Sequence, residues 1–500
     1  MKKRALVLIT VDCLRADHVG FQGYRCPVTP FLDSLAETSV VISDAIVAGT
    51  PTYFSFPAIM ASRYPLSLGR ETLGIAPGEA TLATALHDAG YRTAAFLAGN
   101  PYLSPRFGYH QGFDEFRDFL DSVHSEESKA VSHPASKRVS DLNRRIEGAS
   151  RRTGLTAAAY DELYFWYCQW RSARKKLSMD QLRRYPAADV VIDQACSWLR
   201  NLGDNPVFLW IHLMDPHHPY YPPQEALSSL GVAHISARRA CFLNAFWDRL
   251  DVGPRRLERY RKEILSLYDA GVYCVDKQIS RFVDVLRQSR LWDETVFVVT
   301  ADHGEEFLEN GARYHSPTNL PEHLIHVPLL LHAPELAGMR FSQGSFSLLH
   351  LAPTLLDAMG AAIPDSFQGQ SYWKQISSGG LLGESAIAEC VEACNNPFQV
   401  EERIRPRLLA IRDRQYKLVI HFSDKSERLY DLENDPEEHS PLPAGALTRE
   451  RVRLLQVVRA HLEKTRGNRN ADFALRARLY ELGHSMGLKR QQAPTSAVPG

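Results

Sequence analysis

Five hundred residues, 44% of them apolar and 23% charged, exclude a disordered chain and supply enough apolar side chain for a large α/β domain with a smaller companion. Lys+Arg and Asp+Glu balance at 58 each, so no overall field draws the chain to nucleic acid or an anionic membrane, and any preference for anions has to be local. No apolar run approaches the ~20 residues that span a bilayer. The start Met1-Lys2-Lys3-Arg4 leads straight into an apolar stretch, so the expectation is a cytoplasmic protein without a transmembrane segment. The eight cysteines form no Cys-x-x-Cys, and Cys390 and Cys394, close in sequence, are expected to be packing or surface thiols.

In chain order, Leu6-Val7-Leu8-Ile9-Thr10-Val11 reads as a strand buried on both faces that stops abruptly at Asp12. Residues 29–37 predict a helix with Pro30 in its first turn, 82–88 another, and 93–97 a strand. This alternation predicts a parallel sheet. Residues 122–188 change texture and read as a helical insertion, mobile over 125–153 and aromatic over 160–167. A strand is expected again at 207–213, then a helix-rich stretch to about 292. The next strand, 295–300, runs into Ala301-Asp302-His303-Gly304, and a last one is placed at 327–331. Residues 408–412, 417–421 and 428–432 alternate as a small antiparallel sheet, and 448–466 has helical apolar spacing in a basic tail. The domains are therefore drawn as 1–370, 371–445 and 446–500, with no internal repeat.

Asp12 and Asp302 both sit at strand ends, where ligands bind in parallel sheets. Two buried carboxylates brought together raise each other's pKa, and a divalent cation resolves the conflict. With His303 beside them, the mixed oxygen and nitrogen donors suit one Mn²⁺, Zn²⁺ or Mg²⁺, or Ca²⁺ if more oxygens join. Between these motifs, Gly49-Thr50-Pro51-Thr52-Tyr53-Phe54-Ser55 is a hydroxyl-rich turn opening a helix. Such hydroxyls ordinarily cap helices; beside a metal, one of them becomes a nucleophile aided by the positive helix end.

Four segments in this order resemble the sulfatase family of the alkaline phosphatase superfamily: Leu8-Ile9-Thr10-Val11-Asp12-Cys13-Leu14-Arg15, Ser62-Arg63-Tyr64-Pro65, Thr300-Ala301-Asp302-His303-Gly304-Glu305 and Leu429-Tyr430-Asp431-Leu432-Glu433-Asn434-Asp435-Pro436. The resemblance covers most of residues 5–440. It implies a mainly parallel sheet sandwiched by helices with a small C-terminal four-stranded antiparallel subdomain. It also implies a metal on Asp12, Asp302 and His303. Departures are informative. Cys13 stands where the family usually has a second acid. Counting back from Arg63-Tyr64-Pro65, the family's modified Cys or Ser falls on Thr52, with Phe54 and Phe56 replacing the motif's Pro and Arg. Oxidation of a threonine gives a ketone rather than an aldehyde, which closes the formylglycine route. Thr52, ahead of Ser55 and Thr50, is then the expected metal-bound nucleophile, as on the phosphoryl side of the superfamily. Asp215-Pro216-His217-His218-Pro219-Tyr220 resembles the segment that sets a histidine by the substrate, assigning His217 as substrate donor or general acid. His315 lies where the family puts a Lys or His on the substrate. His218, His323 and His326 are given ordinary structural roles.

The sequence reading is a metal-dependent hydrolase of phosphate, phosphonate or sulfate esters, with Thr52 attacking and His217 and His315 at the substrate. The expected partner is a small-molecule or glycan anionic ester. Three alternatives stand beside it: a sulfuric ester hydrolase acting without formylglycine, a phosphoryl-group transferase, and an inactive binding protein.

Overall fold

The computed structural model describes residues 5–70, 72–121, 154–172, 178–202 and 205–467. The large sheet has β1 (Ala5–Val11) at its centre, parallel to β5 (Val207–Leu213) on one side and to β6 (Thr295–Ala301) on the other. Beyond β5 lie β3 (Arg92–Leu97) and the short β4 (Glu115–Arg117), both parallel. Beyond β6 come the antiparallel β9 (His326–His332), then β2 (Val40–Ile46), whose free edge takes the short β10 (Met339–Phe341) and β11 (Phe346–Ser347). Every residue of β1, β5 and β6 is buried, as unbroken apolar runs require when helices cover both faces. A hairpin of β7 (Glu306–Phe307) and β8 (Arg313–Tyr314) stands just past the end of β6.

The second sheet is an antiparallel meander of β12 (Ser385–Val391), β13 (Arg407–Asp413), β14 (Tyr416–His421) and β15 (Ser426–Asp431). Helix Thr448–Gly467 lays Leu454 and Val458 on Leu409, Ile411, Leu418 and Leu429 of this sheet. The basic helix thus closes a core of its own. Charge ties this unit to the large sheet. Lys417 is fully buried, with its Nζ 2.8 Å from Glu438 and 3.2 Å from Glu322, and Arg412 reaches Asp44 of β2 at 2.8 Å.

The architecture agrees with the expected fold, and the differences lie at edges. β2 and β12 escape the sequence reading because Ser43 and Asp44 interrupt one apolar run and Glu389 the other. Within 122–188 the described residues include helices Gly154–Ser172 and Met179–Leu182, while the stretch 125–153 falls outside the described residues. No helix of the described residues is long and apolar enough to cross a membrane.

Candidate active site

The register of the central strands builds the site. Val11 lies opposite Ala301 on one side and Leu213 on the other, so Asp12 and Asp302 leave the sheet side by side although 290 residues separate them. Both are fully buried, as is His303. His303 Nε2 sits 3.7 Å from an Asp12 oxygen and 3.6 Å from an Asp302 oxygen. Its Nδ1 donates to the Gly304 carbonyl at 2.8 Å, which puts the ring proton there and turns the Nε2 lone pair toward the carboxylates. Gly304 is required: a Cβ there would stand 1.9 Å from the His323 carbonyl.

Asp12 is held by Asn100 Nδ2 at 2.9 Å and by His212 Nε2 at 3.3 Å. Thr10 accepts from Trp210 Nε1 and donates to His212 Nδ1 at 2.9 Å, which leaves His212 Nε2 protonated toward Asp12. His212 therefore orients the carboxylate. Asn100 and His212 had no role in the sequence reading. Asn100 follows β3 as Asp12 follows β1, a signal that was present; His212 is hidden inside an apolar strand.

Helix Thr52–Ala61 is buried along its whole length and aims its N-terminus at the carboxylates. Thr52, its first residue, brings Oγ1 to 3.2 Å from His303 Nε2. Gly49 permits the approach, since a Cβ would meet the Glu389 carbonyl at 2.6 Å. Ser55 donates to the Asp302 carbonyl at 2.6 Å and is committed there, and Thr50 Oγ1 is buried without a hydrogen-bond partner. Arg63 pairs with Glu79 and donates to the Gly74 carbonyl, bracing the chain beyond the helix rather than facing the site.

On the outer side, Cys13 adopts a left-handed φ of 61°, pinned by the Tyr268 hydroxyl donating to its carbonyl at 2.8 Å. Its Sγ lies 3.1 Å from Asp12 Oδ1 and 3.5 Å from His315 Nδ1. The His315 ring is centred 4.6 Å from that of His303 and 5.1 Å from that of His217. Both outer histidines are half-buried, so a solute can reach them. His217 Nδ1 donates to the His218 carbonyl, leaving Nε2 for the site. Tyr185 packs edge-on to His217 at 5.3 Å and borders a cavity of about 560 Å³ lined by Phe119, Arg183, Arg184, Tyr273 and Lys277. His218 pairs with Asp248, His323 with Glu437, and His326 with the Ser43 carbonyl, all apart from the cluster.

Electrostatics calls for a cation. Burial, then the charge of Asp12, pushes Asp302 well above the usual carboxylate range. Burial opposes ionisation of Asp12 as well, but His217, His212 and His303 together hold it low. Burial, then His315, drives His303 down to about 3, the neutral state a metal ligand needs. Asp302 Oδ2 is buried, with the Thr52 hydroxyl and His303 Nε2, 3.6 Å away, as its polar neighbours. A buried carboxylate oxygen, a second carboxylate and an unprotonated imidazole nitrogen fit one divalent ion. Outside this group, burial lowers His217, whereas Glu305 raises His315 against its burial.

Sequence and fold comparisons identify similar proteins. The family model described as Sulfatase matches residues 4–361, and that described as N-sulphoglucosamine sulphohydrolase, C-terminal, matches 314–465. Arylsulfatase K of Bos taurus is 23% identical over 286 residues, 50% of this chain and 51% of its own, so the match spans about half of that relative. An arylsulfatase of Clostridium perfringens is 22% identical over 91% of this chain and 93% of its own. The phosphonate monoester hydrolase of Agrobacterium radiobacter superimposes with a TM-score of 0.63 at 18% identity, covering 93% of this chain and 96% of the other.

Proposed function

Since the chain belongs to the sulfatase family, we propose that it is a metal-dependent hydrolase of phosphate, phosphonate or sulfate esters in which Thr52 is the nucleophile. The observation that carries this reading is the Thr52 hydroxyl 3.2 Å from His303 Nε2, at the head of a buried helix and between two carboxylates that demand a cation. Asp12, Asp302 and His303 are the residues that would hold the ion. A divalent cation there neutralises the carboxylates and lowers the pKa of a nearby hydroxyl.

The chain's own groups do the rest. Thr52 loses its proton to solvent and its Oγ1 bonds to phosphorus or sulfur as the bond to the leaving oxygen breaks. His217 and His315 face the open side, and His315, whose protonated form Glu305 favours, gives its proton to the leaving oxygen. Water then cleaves the ester on Thr52 and restores the hydroxyl. The helix N-terminus presents free N–H groups and partial positive charge to the anionic group in flight. The cavity beyond Tyr185 has room for a leaving group the size of an aryl ring or a sugar. Phosphorus is favoured over sulfur because Thr52 excludes formylglycine and Phe56 removes the arginine expected of that motif.

The test is turnover of nitrophenyl phosphonate, phosphate monoester, phosphate diester and sulfate by the metal-loaded protein and its Thr52→Ala variant. The proposal expects a phosphorus ester to be the best substrate and the variant to lose it. Fastest turnover of the sulfate moves the reading to a sulfuric ester hydrolase. Product only with an added alcohol or sugar makes the protein a transferase, and no turnover of any ester makes it a binding protein.

A further inference from the structure

The cavity beyond Tyr185 is lined by charge as well as by rings. Arg183 forms part of its wall with a side chain only 13% exposed, and Nη2 of that guanidinium has no hydrogen-bond partner in the protein. The carboxylates near it fall short of hydrogen-bond length: Asp180 stands 3.7 Å from Nη2, and Asp215, whose side chain is buried, 3.8 Å from Nη1. Gln278 Oε1, from helix Pro254–Gln288, is a second buried polar atom of this lining without a partner. Arg184 lines the same cavity, is exposed, and pairs with no carboxylate among the described residues. The acids of the lining, Asp180, Asp189 and Glu225, are exposed, so solvent screens them while Arg183 acts from the interior. A buried donor and a buried acceptor left unpaired are costly unless a ligand meets them.

Arg183, Tyr185 and Pro186 also border the narrow cleft that His217 lines, so the guanidinium lies on the leaving-group side of the site. We propose that Arg183, backed by Arg184, selects esters whose leaving alcohol carries a second anionic group, with a hydroxyl for Gln278 beside it. A guanidinium suits this task because its planar N–H groups meet a carboxylate or a phosphate in pairs and its charge persists at any ordinary pH. The anion supplies the acceptor that Nη2 lacks, and the hydroxyl supplies the proton that Gln278 Oε1 lacks. Arg183 meets the leaving alcohol away from the bond that breaks, so it acts chiefly on KM.

The inference rests on the hydrolase reading and names its substrate class, and the test keeps the two apart. The probes are aryl phosphonate esters that differ in one ring substituent: a carboxylate, a carbon-linked phosphonate standing in for phosphate, or a neutral amide, each attached directly or on a short arm. Steady-state kinetics on the metal-loaded protein should give the better anionic ester a KM about tenfold or more below that of its amide, the effect of one hydrogen bond to a charged group, with kcat little changed. Whether the carboxylate or the phosphonate gains more names the second group. Arg183→Gln should erase the ratio, Arg183→Lys should keep part of it, and Arg184→Gln should lower it less. Each ratio compares two esters on one protein, so a partly unfolded variant does not distort it. The same esters are titrated onto Thr52→Ala protein by calorimetry, where the ratio is read in Kd. Anionic and neutral esters that bind and react alike in wild type overturn the inference, as does a preference that survives Arg183→Gln. A preference in Kd without turnover of any ester sinks the hydrolase reading and leaves Arg183 as the anion-selecting residue of a binding protein.

Discussion

In the proposed mechanism the chemistry turns on Thr52, Asp302 and His303. Thr52→Ala is expected to lower kcat by about 10³-fold or more, as removal of a nucleophile does, with Thr52→Ser keeping part of the rate; steady-state kinetics on the best ester reads both. Asp302 gives a stability signature as well. Its carboxyl is raised by burial and by Asp12, so without metal its protonated form favours the folded state. That contribution is complete below the unfolded carboxylate value near 3.9 and is lost as pH rises through the folded value. The chelated wild-type protein should therefore lose stability with rising pH, and Asp302→Asn should flatten the profile and raise the melting temperature. Metal reverses the ranking: at about 100 times its Kd it stabilises wild type by about 2.7 kcal/mol and Asp302→Asn far less. Melting curves across pH with chelator and with metal measure this. Asp12, Asp302, His303 and Thr52 were legible in the sequence because acids ending apolar strands and hydroxyls opening a helix leave local signals. His212 and Asn100 were not, since their importance comes from strand neighbours chosen by the tertiary register.

At the level of elements, the junction between the two sheets carries the most charge. Lys417 on β14 is fully buried against Glu322 and Glu438, so Lys417→Met leaves Glu438 without a cation and Glu322 with Arg412 alone. A loss of about 3–5 kcal/mol is expected, as for one partner of a buried ion pair, read by denaturant unfolding. Burial alone would raise Glu322, yet Lys417 and Arg412 hold it down to about 2. Its contribution is present above the unfolded value near 4.3 and is lost as pH falls toward 2. Wild type should thus weaken in acid over that window, and Glu322→Gln should weaken less. The strands that the sequence hid, β2 and β12, are the ones whose apolar runs are broken by Asp44 and Glu389. Those residues are polar because they serve this junction and its surroundings: Asp44 receives Arg412, and Glu389 meets His461 and the Leu66 amide. A propensity reading sees an interrupted strand where the molecule has built a salt bridge.

Across the whole molecule, the sheet brings two acids from opposite ends of the large domain side by side, and the helix beginning at Thr52 meets them. Fold class followed from strand and helix alternation plus family resemblance, and the matched family model spans residues 4–361. What the alternation does not encode is the pairing order, which puts β1 between β5 and β6 and makes β9 run against its neighbours. The cavity beside Tyr185 is equally silent in sequence, because Phe119, Arg183, Tyr185 and Tyr273 reach it from separate elements. If the cavity receives the leaving group, Tyr185→Ala should raise KM for aryl esters by about tenfold, the size of one lost apolar contact, with kcat little changed. The central claim is the covalent role of Thr52, and the most direct measurement is rapid quenching of the metal-loaded protein with its best ester, followed by peptide mass analysis. The account predicts that the transferred phosphoryl, phosphonyl or sulfuryl group is found on Thr52 and is absent after Thr52→Ala. A group found on another residue, or full turnover with none on Thr52, would contradict it.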